Sequence, residues 1–96
     1  MPEITINANE SDEVITEPLA RSVNTKRYSV IIVEVNSGNI RLDTEEESVR
    51  HGFPLQQGDI ISFDPNDHTW YAYADGAEAT LNVNGFKGIP IQLERV

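Results

Sequence analysis

Two histidines, one tryptophan, three tyrosines and sixteen carboxylates are the side chains from which this 96-residue chain would have to build any chemistry. Nucleophilic catalysis needs a hydroxyl, a histidine base and an orienting acid brought together. His51 stands before a loop glycine, His68 falls in a turn-rich stretch, and no Gly-x-Ser-x-Gly elbow is present. The histidines show neither the His-x-His nor the His-Glu-x-x-His spacing of a zinc site. The chain has no cysteine, which excludes thiolate catalysis, thiolate zinc sites and iron–sulfur clusters. A glycosidase needs two carboxyls across a cleft, and a domain this small has little room for one. Calcium accepts carboxylates and loop carbonyls, so Asp64, Asn66 and Asp67 form one candidate loop, and Asp43, Glu45 and Glu47 another. The first lacks the EF-hand glycine and terminal glutamate, and both read more simply as turn chemistry. The expectation is a non-enzymatic protein with no cofactor and no assigned catalytic or metal-ligating residue.

The aromatic run Trp70, Tyr71, Tyr73 offers binding instead of catalysis. In a strand, Tyr71 and Tyr73 share one face, while Trp70 shares the other with Ala72 and Ala74. Trp70 then fills the core beside two small residues, and the tyrosines lie half-exposed. They are equally a candidate contact patch, because tyrosine is enriched at interfaces.

Elements of alternating polarity must position these residues. Apolar side chains recur at every second position or in short runs bounded by Gly, Asn and Asp, and almost nothing reads as helix. Residues 27–35 form the strongest strand. Val30 and Ile32 lie on one face and Ile31, Val33 and Val35 on the other, which marks a central strand or one sandwiched against a partner. Turn residues at 36–39 predict a hairpin returning through 40–43. Residues 52–55 read as an extended linker before Pro54. Strands over 59–63, 69–74, 79–83 and 89–93, with hairpin signals at Asp75-Gly76 and Asn84-Gly85, predict an antiparallel meander. Pro90 makes the last of these an edge strand. The fold class is all-β: a small antiparallel sandwich, jelly-roll or immunoglobulin-like, of seven or eight short strands. Residues 1–26 read as an N-terminal arm with a first short strand, and residues 27–96 as the single folded domain. Ile4, Ile6, Val14 and Ile15 are the arm's apolar anchors, suited to ordering on a neighbour by strand addition.

Sixteen acids against seven bases give a formal net charge of -9. Such a chain repels phosphate backbones and anionic membrane surfaces, so neither nucleic acid nor membrane is an expected partner. Five acids precede the first base, and four cluster at Asp43, Glu45, Glu46 and Glu47. The distribution fits a solvated surface. No stretch is long and apolar enough for a transmembrane helix, and the start lacks a secretory pattern, so synthesis in the cytoplasm is expected.

Three segments carry a resemblance: Ser37-Gly38-Asn39-Ile40-Arg41-Leu42; Gly52-Phe53-Pro54-Leu55-Gln56-Gln57-Gly58-Asp59-Ile60-Ile61-Ser62-Phe63; and Trp70-Tyr71-Ala72-Tyr73-Ala74-Asp75-Gly76. The series is similar to a pattern in small bacteriophage structural proteins and extends over residues 37–83. The resemblance implies a compact β-sandwich on a virion, as a capsid decoration or cement protein or as a head or tail accessory. It implies the major capsid protein or another virion protein as partner, a homo-oligomer, and location on the capsid surface. Contacts are then expected from Ile4, Ile6, Val14, Ile15, Tyr71 and Tyr73. A tail-associated module recognising a host surface or a carbohydrate is the alternative expectation.

Overall fold

The computed structural model describes residues 3–15, 28–65 and 68–87. Its strands are β1 (Ile4–Ile6), β2 (Ser11–Ile15), β3 (Tyr28–Ser37), β4 (Asn39–Asp43), β5 (Phe53–Gln56), β6 (Ile60–Phe63), β7 (Trp70–Ala74) and β8 (Ala79–Lys87). A 3-10 turn, Glu46–His51, joins β4 to β5. The strands make two four-stranded sheets, ordered β1-β8-β3-β6 and β2-β7-β4-β5, with every pairing antiparallel. The chain is therefore an all-β sandwich, as its alternating polarity implies. Among the described strands the first pairs with the last, the second with the second-last, and so inward to β4 with β5. That is a long antiparallel hairpin rolled into two layers, the winding of a jelly roll.

The core lies between the layers. Alternation puts Ile31, Val33 and Val35 of β3 and Leu81 and Val83 of β8 on one inner face. Ile40 and Leu42 of β4, with Ala72 and Ala74 of β7, supply the other; all are buried. β3 is central, flanked by β8 and β6, so its inner residues are sealed while Val30 and Ile32 face outward. Crossing between layers needs tight corners. At Gly38 (φ +80°) a Cβ would meet the Glu78 carbonyl oxygen at 2.7 Å and the Ala79 Cα at 3.0 Å, so the corner admits only glycine without displacement.

The strand pairing corrects several expectations. Residues 36–43 do not form a hairpin: β3 ends at Ser37 in one sheet and β4 starts at Asn39 in the other. Nor do β6, β7 and β8 form a meander, since none of them pairs with the next. Asp75-Gly76 turns the chain across the sandwich, and Asn84-Gly85 lies inside β8 opposite Ile32 and Ile31. Turn residues signal that the chain reverses; they do not say into which layer it returns. Residues 52–55 are largely strand, with Pro54 on the outermost strand of its sheet, where a missing N–H is tolerated. The predicted strand over 89–93 lies outside the described residues.

The N-terminal segment differs as well. Residues 4–6 form the first short strand, as read from the sequence, while residues 11–15, expected within the arm, form a second; each is an edge strand of one sheet among the described residues. Ile6, Val14 and Ile15 are core residues, at 2%, 5% and 0% exposure. A bulge between Glu13 and Ile15 turns both Val14 and Ile15 inward, breaking the alternation that would have revealed a strand. Residues 16–26 lie outside the described residues. Deleting 1–16 would therefore strip an edge strand from each sheet, and would not leave the sandwich intact.

Candidate functional site

β5 and β6 end their respective sheets, so among the described residues nothing pairs with their outer edges. Between them the sandwich opens into an apolar groove of about 480 Å³. Leu42, buried at 3%, forms its floor. Ile61 and Phe63 enter from β6 and Trp70 from β7, while Phe53 stands at the mouth, 59% exposed. The Trp70 and Phe63 rings meet across the two layers with centroids 4.8 Å apart and planes tilted by 58°. The indole is fixed by its own N–H, which donates to the Pro65 carbonyl oxygen at 3.0 Å. Pro65 is fully buried, and the same carbonyl accepts the His68 amide at 3.1 Å. Both rings are thus held in place before any ligand arrives, which lowers the ordering entropy of binding.

An open strand edge beside an apolar groove has a defined chemistry. The edge offers main-chain donors and acceptors to an added strand, and the groove accepts its alternate side chains. Pro54 removes a donor from β5, so β6 is the better template.

The tyrosine face is built differently. Tyr71 is half-buried between its cross-strand neighbours Glu13 and Asp43, and Tyr73 between Ser11 and Arg41. The 3-10 turn lies against β4 and β7 and buries Val49 outside the inter-sheet core. Tyr73 donates its hydroxyl to the Asn9 side-chain oxygen at 3.3 Å, and that oxygen also takes the Gly76 amide at 3.1 Å. Asn9 holds a left-handed backbone (φ 60°), which asparagine tolerates. Desolvation raises the Tyr71 hydroxyl pKa, and the charges of Glu13, Glu46 and Glu47 raise it further. Both tyrosines are therefore partners of their own chain, set among acids. Of the other expected contact residues, Ile6, Val14 and Ile15 face the core, and Ile4 is partly buried against it. The structure does not gather these six positions into one surface.

Asp43 shows what the acidic loop does. Its Oδ2 accepts the Ser48 hydroxyl at 2.7 Å and its Oδ1 the Thr44 amide at 2.6 Å. The Ser48 bond is the main cause holding the Asp43 pKa below its ordinary value, with desolvation opposing it. A depressed carboxylate stabilises the fold above its unfolded pKa, and that contribution is lost as pH falls through the folded value. Ser48→Ala is accordingly expected to move the Asp43 carboxyl titration upward by NMR, toward that of an ordinary aspartate. An unmoved titration would remove Ser48 as the cause. Among the described residues no three His, Asp or Glu side chains gather as a metal site. His51 and His68 are both exposed. Asn66 and Asp67, of the first calcium candidate, lie outside the described residues.

Phe53, Ile60 and Ile61 were the residues to find. Their signal is the consecutive pair Ile60-Ile61: one faces the groove, and the other is left on the surface at 62% exposure. Compared with known proteins, the chain matches no family model, no curated protein and no solved structure.

Proposed function

We infer that this chain is a non-catalytic assembly module that takes an extended apolar segment of a larger protein along β6 and into the β5–β6 groove. The observation that carries this reading is the pairing of an apolar groove with a strand edge that is unpaired among the described residues. A single exposed aromatic is ordinary on a protein surface; an apolar groove continuous with an open edge marks an interaction site. The setting proposed is a virion shell, with this chain as a decoration or cement protein and the capsid protein as donor of the segment. The resemblance of residues 37–83 to small phage structural proteins supports that setting. A high-copy shell protein also needs the solubility that strong net charge provides.

The test is co-sedimentation with assembled shells. Wild-type chain is expected in the pellet. Phe53→Asp is expected to stay in the supernatant with an unchanged melting temperature, because Phe53 is 59% exposed and contributes little to the core. Wild-type chain left in the supernatant would overturn the virion setting. Equal retention of Phe53→Asp would overturn the groove as the contact.

A further inference from the structure

We propose that residues 88–96 of one copy of this chain add as a strand to β6 of a second copy, parallel to it, with Ile89, Ile91 and Leu93 in the second copy's groove. The proposal rests on the reading of that groove as the receptor of an extended apolar segment, and it names a donor away from any shell. The sequence carries the first step. The residues after β8 read Gly88-Ile89-Pro90-Ile91-Gln92-Leu93-Glu94-Arg95-Val96 and lie outside the described residues. Apolar residues alternate at 89, 91 and 93, the spacing that a groove beside a strand edge selects. Glu94 and Arg95 cancel, so the segment brings no net side-chain charge to a body of net charge -9 and is not repelled by it.

Main-chain geometry carries the second step. The Val35 amide donates to the Asp59 carbonyl oxygen at 3.0 Å, and the Val35 carbonyl accepts the Gly58 amide at 2.9 Å. Within a strand, both main-chain groups of one residue turn to one neighbour, and those of the next residue to the other. Val33 and Ile31 therefore also face β6, where Ile61 and Phe63 are their partners. That leaves the main-chain groups of Ile60 and Ser62 on the outer edge of β6, unpaired among the described residues. An antiparallel addition there bonds through the residues that face away from the groove, and Pro90, one of them, has no N–H to give. A parallel addition bonds through Ile89, Ile91 and Leu93 instead. It puts the missing N–H of Pro90 on the new outer edge, where nothing is lost.

Direction and length carry the third step. β8 and β6 both run antiparallel to β3, so a chain turning back from Lys87 to its own β6 would run antiparallel to it, the direction Pro90 disfavours. Lys87 pairs with Tyr28 and Phe63 with Ile31, so the chain leaves β8 beyond the end of β6. Three strand spacings across and three residues back come to about 17 Å, or roughly five extended residues. Of the three apolar side chains, only Leu93 would then reach its own groove. A second copy supplies the whole segment without that detour.

Donor and acceptor surfaces differ, so the contact is head-to-tail and can be complemented. In sedimentation equilibrium from micromolar to millimolar protein, wild type is expected to associate reversibly. Ile91→Asp in the segment and Phe53→Asp in the groove are each expected to weaken association at least about tenfold, because a carboxylate would enter an apolar site. An equimolar mixture of the two variants is expected to recover association, since Ile91→Asp keeps an intact groove and Phe53→Asp an intact segment. A segment folded back on its own copy would give no such recovery. A synthetic peptide of residues 88–96 gives a readout that needs no variant to fold: added to dilute wild type, it is expected to shift the Trp70 emission to the blue. Wild type monomeric at every concentration, a mixture that stays monomeric, or a peptide that leaves the emission unmoved would each overturn the proposal. Ile91→Asp is expected to pellet with assembled shells as wild type does. If it does so while the peptide fails to bind, this proposal falls and the groove reading stands.

Discussion

Gly52→Ala is expected to lower stability by about 3 kcal/mol, the upper end of the range for overpacking a well-filled site. For a domain of 96 residues that is a fall in melting temperature of roughly 12–24 °C. Gly52 has an ordinary backbone (φ -78°), so conformational strain is not the reason. An added Cβ would be driven onto the Leu42 carbonyl oxygen, 2.8 Å from its carbonyl carbon and 3.1 Å from the Val49 oxygen. All three atoms are backbone and cannot swing away. The glycine cannot retreat either: its amide donates to Val49 at 2.9 Å, and its carbonyl accepts from the Arg41 guanidinium at 3.2 Å. The new methyl must therefore push β5 off β4, which also moves Phe53 at the mouth of the groove. Gly58→Ala is the control. Gly58 has φ +92° and nothing within 4 Å of its Cβ position, so it meets conformational strain alone, on the order of 1 kcal/mol. Thermal denaturation of the two variants separates lack of space from backbone strain. If Gly52→Ala melted as high as Gly58→Ala, the close packing of β5 on β4 would be wrong.

The fold class is legible in the sequence because alternation is local. Val33 and Val35 are buried and Glu34 is exposed for a reason visible within three residues. The winding is not legible, since it depends on which layer each turn returns to. Gly38 shows the difference: its type announces a corner, while the need for glycine comes from Glu78 and Ala79, some forty positions away. The groove was hidden for the same reason. Phe53, Ile61, Phe63 and Trp70 converge only when β5, β6 and β7 are rolled into two layers. The burial of Val14 and Ile15 is hidden by the β2 bulge, and the tyrosines read as free because the covering turn at Glu46–His51 has no helical period to read. Charge was legible in amount but not in place. Net charge -9 is a property of composition; which acids share a face, as Glu13, Glu46 and Glu47 do around Tyr71, requires knowing how strands and turns distant in the chain are laid together.

Trp70→Ala is expected to cost about 3 kcal/mol, the lower end of the range for deleting a large aromatic, because the ring is only partly buried. Its position makes the loss specific. The indole reaches from the β7 layer to Phe63 of the β6 layer and walls the groove. Truncation removes that bridge and leaves Phe63 without its ring partner, so the two edge strands should part and the groove widen. Trp70→Phe keeps an aromatic ring and loses the N–H bond to Pro65. That carbonyl still accepts from His68, so it is not orphaned, and the cost should be about 1 kcal/mol. Denaturant unfolding should thus rank wild type above Trp70→Phe and Trp70→Ala well below both. Equal stability of the two variants would mean that the hydrogen bond, and not the ring, holds this end of the sandwich. Trp70 is also the chain's one tryptophan, so its emission reports directly on the groove. An extended peptide with alternating apolar residues should shift that emission to the blue in wild type by displacing water from the indole, and should leave it unmoved in Phe53→Asp. A peptide that bound without altering the emission would place the contact elsewhere on the molecule.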